Sequence, residues 1–162
     1  MNKIFLIFAS FLSFSCSDLE FVYKDNKNLI NPIYEKVEVK TSGAGLIFVN
    51  SYIPVLFGEN ETNELDLLIN VEEKKIKRSV ETNQATSNLS YELRFYYTLI
   101  SNKKNCSLYE KEILSSFTII PKSAGYNYGT DASLEKKYKL AISDNLNQFL
   151  TLISSADINS CK

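Results

Sequence analysis

Leu89, Tyr91, Leu93, Phe95, Tyr97 and Leu99 occupy every odd position from 89 to 99, while Ser90, Glu92, Arg94 and Thr98 take even ones. Side chains alternate across a β-strand, so this run predicts a strand with one apolar face and one mostly polar face. Leu65, Leu67, Ile69 and Val71 alternate with Asp66 and Asn70 in the same way. Burying four such side chains is worth roughly 6–12 kcal/mol gross. A one-residue slip would expose all four, so the register is strongly specified. Beyond Val71 the apolar parity changes, to Ile76 and Val80, which predicts a bulge near Glu72–Lys75.

Val37 and Val39, set between Lys36, Glu38 and Lys40, predict a short first strand that Thr41–Gly45 ends. The stretch Leu108–Ile120 predicts a last strand, entered through the hairpin loop Ser101–Asn105 and closed by Pro121. Leu46, Val49, Ile53 and Leu56 have helical spacing, so a short helix is expected there although Pro54 lacks the N–H a helix interior uses. Tyr138, Ile142, Leu146, Phe149 and Ile153 form an apolar stripe. They predict a long helix ending near Ser155, with Asp131 as its N-cap after the Gly- and Tyr-rich loop Lys122–Thr130. The order is β-α-β-β-β-α. One apolar face per strand and one stripe per helix imply an α+β fold: a two-layer sandwich with a roughly four-stranded sheet and two helices packed on one face.

The composition narrows the chemistry. The 162 residues include no His, three Cys and a net charge of −1. Without His, Ser-His-Asp and Cys-His catalysis are excluded, and three scattered cysteines cannot make an all-thiolate zinc site. The charge balance offers no whole-chain attraction for nucleic acid. Glu110 and Glu112 share one face of a strand, but paired acids on a charged strand read as solvation. No enzyme activity, cofactor or metal is expected.

The first sixteen residues, MNKIFLIFASFLSFSC, place one Lys before an apolar run from Ile4 to Phe14. As a helix that run spans roughly 16 Å, about half the bilayer core, which suits a signal peptide better than a membrane anchor. Ser15 directly before Cys16 matches a bacterial lipoprotein signal, in which the Cys thiol receives a diacylglycerol. Ser13 and Ser15 also satisfy ordinary secretory cleavage, and an uncleaved segment is the third reading. On the first reading residues 1–15 are the signal peptide, 16–32 a lipidated tether and 33–158 the sandwich domain. Ser17 after the Cys permits delivery to the outer membrane. With Cys16 acylated, Cys106 and Cys161 remain as an even pair, either joined in an oxidising compartment or left as free thiols.

The cations cluster at Lys74, Lys75, Lys77 and Arg78, beside Glu72 and Glu73. Lys at a strand end serves equally as edge protection or as an anion contact. Lys103 and Lys104 read as turn residues, and Lys136, Lys137 and Lys139 as a helix's solvated face. Tyr96, Tyr126 and Tyr128 lie off the apolar stripes and are candidates for a contact surface.

The element order behind a lipoprotein-type signal resembles the LPS-assembly lipoprotein family LptE, in particular its alphaproteobacterial branch. The resemblance spans about residues 65–155 and rests on particular segments. They are the strand pair Leu65–Val80 and Leu89–Leu99 joined through Glu81–Thr86, then Ser123-Ala-Gly-Tyr126-Asn127-Tyr128, the helix start Asp131–Glu135 and the long terminal helix. It implies a lipoprotein anchored through Cys16 at the periplasmic face of the outer membrane. There it would act as plug and assembly partner of the LptD β-barrel and bind lipopolysaccharide. Lys74, Lys75, Lys77 and Arg78 are the candidates for the lipid A phosphates. An ABC-transport auxiliary lipoprotein, serving phospholipid transfer, is the alternative with the same outline.

Lipidation has a direct measurement. Intact mass or palmitate labelling is expected to show an acyl adduct on the wild type that disappears in Cys16→Ala; an unmodified, soluble wild-type protein would refute the anchor.

Overall fold

The computed structural model describes residues 31–80, 86–119 and 128–161. Six elements follow in the order β1 (Val37–Gly43), α1 (Leu46–Phe57), β2 (Leu65–Val80), β3 (Thr86–Ser101), β4 (Cys106–Ile119) and α2 (Tyr128–Ser154). They form an α+β two-layer sandwich. The four strands make one sheet in the order β1-β2-β3-β4. β1 runs parallel to β2, and the other two pairs are antiparallel. A parallel neighbour needs a crossover, and α1 supplies it. Both helices lie on the same face, α1 over β1 and beside α2, and α2 over β4.

The alternation in the sequence becomes the core. Leu67 stands opposite Leu99, Ile69 opposite Tyr97 and Val71 opposite Phe95. On the other side of β3, Phe95 faces Ile113 and Tyr91 faces Phe117. All of these except Phe117, which is partly buried, are buried on the helix side of the sheet. The α2 stripe closes over them: Ile142, Leu146, Phe149 and Ile153 are fully buried, and the Phe149 ring stacks on Tyr97 at 4.1 Å between centroids.

α1 forms despite Pro54 because its packing outweighs the lost hydrogen bond. Val49 and Phe57 are fully buried, and Ile33 joins them from the segment before β1. Gly45, in the left-handed region at φ 67°, lets the chain turn into the helix. Gly43 is required by space: a Cβ there would fall 2.0 Å from the Val71 carbonyl oxygen, which instead accepts the Ala44 N–H at 2.8 Å.

Two expectations are corrected. The predicted bulge at Glu72–Lys75 is absent, since β2 and β3 stay in unbroken register from Leu65↔Ser101 to Lys77↔Leu89, and the register shifts only beyond it, between Lys77 and Ser79 and again between Ser79 and Val80. Glu73 and Lys75 keep the inner-face positions. They are tolerated because the apolar cover runs out there: Glu73 accepts a hydrogen bond from the Tyr138 hydroxyl, and the Lys75 ammonium lies 5.3 Å from the Tyr91 ring centroid. The change of parity thus marks the edge of the cover and no extra residue. Asp131 is not the N-cap of α2, because the helix begins earlier, at Tyr128, and contains it.

The two ends of the described chain are tied down. Asn31 is buried, donates from Nδ2 to the Leu56 carbonyl at 2.6 Å and accepts the Ile33 N–H at 3.1 Å. Ordered structure therefore includes Asn31 and Pro32, at the C-terminal end of α1. Cys106 and Cys161 are bonded, with Cα atoms 5.8 Å apart, and Lys104 Nζ donates to the Asn159 carbonyl at 2.6 Å. The C-terminal tail is thereby held to the β3–β4 hairpin.

A cross-link over a sequence separation of 55 residues restricts the unfolded chain, by about 4 kcal/mol in the chain-entropy account. Replacing both cysteines with Ser is expected to lower the urea midpoint accordingly, and an unchanged midpoint would show that the bond constrains nothing.

Candidate binding surface

Because both helices occupy one face, the even-numbered side chains of β2, of β3 and of β4 from Glu110 onward form a second face that no described element covers; before the register shift at Leu99/Ile100 the parity of β4 reverses and Leu108 joins the core. Glu72 and Lys74 stand beside Arg94 and Glu92, and Glu112 and Leu114 follow on β4. These side chains are held in diagonal pairs. Arg94 Nε lies 3.2 Å from Glu112 Oε1, and the Tyr96 hydroxyl donates to Glu72 Oε2 at 3.3 Å. A hydrogen bond with Tyr96, followed by the charge of Glu112, raises the Arg94 pKa. Glu72, Glu73, Lys74, Glu92, Arg94 and Leu114 line a shallow cleft here. Toward the β3–β4 turn the same face carries Asp66. Its carboxyl is held below the usual range by the hydrogen bond from Lys40 at 2.6 Å, then by that from Asn102 at 2.9 Å.

The chemistry of this face is that of a mixed-sign lattice. Each cation has an acid beside it, so the surface suits broad polar contact better than capture of a single anion. Exposed pairs of this kind contribute little stability, about 0–1 kcal/mol each.

The four basic candidates divide. Lys74 faces outward with the cleft, whereas Lys75 faces the helix side over Tyr91. Lys77 and Arg78 continue β2, with Lys77 opposite Leu89, and their side chains lie outside the described part. Cys16 also lies outside it, as do the segment Glu81–Ala85, Tyr126 and the Tyr128 side chain. Tyr96 is on the outer face, bonded to Glu72. Glu110 and Glu112 share that face, and Glu112 pairs with Arg94. Lys103 pairs with Glu64 at 2.5 Å and Lys139 with Glu135 at 2.6 Å, while Lys137 donates to the Thr118 carbonyl.

One residue that positions the whole surface is invisible to polarity counting. Asn145 lies in the α2 stripe, three residues after Ile142, and is fully buried. Its Oδ1 accepts the Tyr97 hydroxyl at 2.7 Å, and its Nδ2 donates to Ser115 Oγ at 2.7 Å and to the Ile113 carbonyl at 3.3 Å. The amide thus fastens α2 to β3 and β4 at one register. Its position on the buried arc of the helix was the available signal.

No protein-family model and no curated protein matches the sequence. Solved structures share the fold. A protein described as a lipoprotein from Caulobacter crescentus superimposes with a TM-score of 0.60 at 14% identity, over 80% of this chain and 92% of that one. Lipoprotein B from Nitrosomonas europaea gives 0.53 at 17% identity, over 75% and 86% of the two chains. A minor lipoprotein from Acinetobacter baumannii gives 0.50 at 11% identity, over 76% and 92%. At these identities the likeness is one of fold.

Burial pushes the Tyr97 phenol far above its ordinary value, and burial with the Glu73 contact does the same for Tyr138. Above pH of about 10 the unfolded chain loses these protons while the folded one keeps them, so stability present below that pH falls as pH rises, by up to ~1.4 kcal/mol per pH unit for each group. Tyr97→Phe is expected to lose about 1–3 kcal/mol at neutral pH, because Asn145 Oδ1 is left unpaired, yet to show a shallower alkaline decline. Urea unfolding at pH 7 and pH 11 measures both; an unaltered alkaline slope would contradict the assignment.

Proposed function

We propose that the protein is an LptE-like lipoprotein of the LPS-transport machinery. Acylated Cys16 holds it on the periplasmic face of the outer membrane, where it acts as plug and assembly partner of an LptD-type β-barrel and binds lipopolysaccharide. The observation that carries this reading is the outer face of the sheet, which no described element covers. It is rigid, because three long strands are locked in register beneath two helices, and it is polar with both signs of charge. The lumen of a transmembrane barrel is lined by polar side chains, and a mixed-sign lattice with Tyr96 matches such a wall. The shared fold with solved proteins described as lipoproteins, over three-quarters or more of the chain, supports the class. So does the lipoprotein-type signal ending at Cys16.

The work is positioning and binding, with no covalent step. Lipid A phosphates are assigned to the far end of β2, where Lys74, Lys75, Lys77 and Arg78 fall within five positions. The strand alternation sends Lys74 and Lys75 to opposite faces, so a phosphorylated lipid would straddle the strand end rather than sit on one flat patch.

Affinity purification of the full-length protein from solubilised membranes is expected to recover a large outer-membrane barrel. Recovery of a periplasmic phospholipid-transfer complex in its place would favour the ABC-transport auxiliary reading and reject this one. In the same preparation, Lys77→Glu with Arg78→Glu is expected to weaken LPS binding several-fold while the melting temperature stays near wild type. Undiminished binding by the folded double variant would remove the phosphate assignment.

A further inference from the structure

We infer that the outward side of α1 is a lipid-contact surface, lying on the headgroup–acyl boundary of the membrane that carries the anchor. The inference rests on the anchor at Cys16 proposed above and adds an orientation to it.

The helix LIFVNSYIPVLF contains no charged residue. Its inward side is accounted for by Val49, Phe57 and their neighbours. Its outward side follows the spacing i, i+4, i+7, i+8 through Ile47, Ser51, Pro54 and Val55, all exposed, with the exposed Asn50 at its margin accepting a hydrogen bond from Thr41. Ile47 is 84% and Val55 72% exposed, the two highest values among the exposed large apolar residues described. They stand about 12 Å apart along the axis. The contrast with α2 is direct: Leu140 also points outward, but it lies on a line with Lys136 and Asp144, a solvated helix face. At 12 residues α1 is too short to span a bilayer and suited to lie on one.

The occupant is indicated by where the tether arrives. Asn31 is bonded to the carbonyl of Leu56, in the last turn of α1. Fourteen residues lie between it and Cys16, a reach of at most about 50 Å. An acyl chain on Cys16 therefore confines this end of α1 to within about 50 Å of the lipid, while the polar sheet face lies on the opposite side of the sandwich. A barrel lumen is a poor match for an uncharged aliphatic stripe, and a lipid interface is a good one. Glu35, Glu59 and Glu61 are exposed around the same end of the helix and outnumber the exposed Lys36 among them. They favour a zwitterionic layer bearing ammonium groups over a strongly anionic one.

The test uses the mature, lipidated full-length protein in vesicles of phosphatidylethanolamine with a minority of phosphatidylglycerol. Single cysteines at Ile47→Cys, Val55→Cys and Leu140→Cys carry an environment-sensitive fluorophore, with the Cys106–Cys161 bond kept oxidised. Vesicle flotation is scored first. The expected result is flotation, with quenching by chain-brominated lipid several-fold stronger at positions 47 and 55 than at 140. Flotation with no excess quenching at 47 and 55 overturns the inference and leaves the anchor standing. A blue-shifted emission that brominated lipid does not quench assigns the stripe to a protein partner and also overturns it. Failure to float rejects the anchor and the inference together. Radical footprinting of unsubstituted protein, with and without vesicles, reads the same two side chains without a label. Protection of Ile47 and Val55 supports the inference, and equal oxidation in both states overturns it.

Discussion

The closure of α2 over the inner face of β3 is the contact on which the rest of the molecule depends. β3, like β2 over Leu65–Val71, has hydrogen-bonded neighbours on both sides throughout its apolar run, and its odd-numbered side chains form the middle of the core. They exclude water only when the arc from Tyr138 to Ile153 lies over them. The stacking of Phe149 on Tyr97 and the Asn145 amide between Tyr97, Ser115 and the Ile113 carbonyl set where along the sheet that arc lies. An apolar interface alone tolerates sliding by a turn. A buried amide with every partner satisfied does not, because each displaced position leaves polar atoms unpaired.

That arrangement divides the surface into regions of different chemistry. One sheet face is spent on the core, which leaves the other free to carry Glu72, Lys74, Arg94, Tyr96 and Glu112 in cross-strand pairs. The helix layer is itself uneven. α2 turns Lys136 and Asp144 outward, while α1 turns out Ile47 and Val55. The sandwich thus presents a polar lattice on one side and an uncharged helix stripe on the other. The disulfide and the Asn31 contact hold the first and last described residues without adding to either surface.

Much of this was legible from residue order because solvent enforces it. A strand covered on one side must alternate, and Leu89–Leu99 and Leu65–Val71 do; a helix on a sheet must carry a stripe, and Tyr138–Ile153 does. The parity rule misled at Glu72–Lys75, where polar residues kept inner positions because the apolar cover ended and Tyr138 and Tyr91 supplied partners. The basic cluster was legible as a cluster, but its division between two faces depended on where the strand stayed in register. Asn145 was read over because an amide in an apolar arc has meaning only once Tyr97 and Ser115 are opposite it.

Residue order alone thus settled the α+β class, the element sequence, the inward faces of β2, β3 and α2, and a signal-like segment ending in Ser15-Cys16, since each is a local pattern with its own period. The tertiary structure alone decided that β1 lies parallel at the edge beside β2, that Cys106 meets Cys161, and that the uncharged α1 is covered on one side only. An apolar helix read by itself looks buried all round. Whether it is depends on what the fold brings against it, and here the described residues leave Ile47 and Val55 exposed at the two ends of the helix.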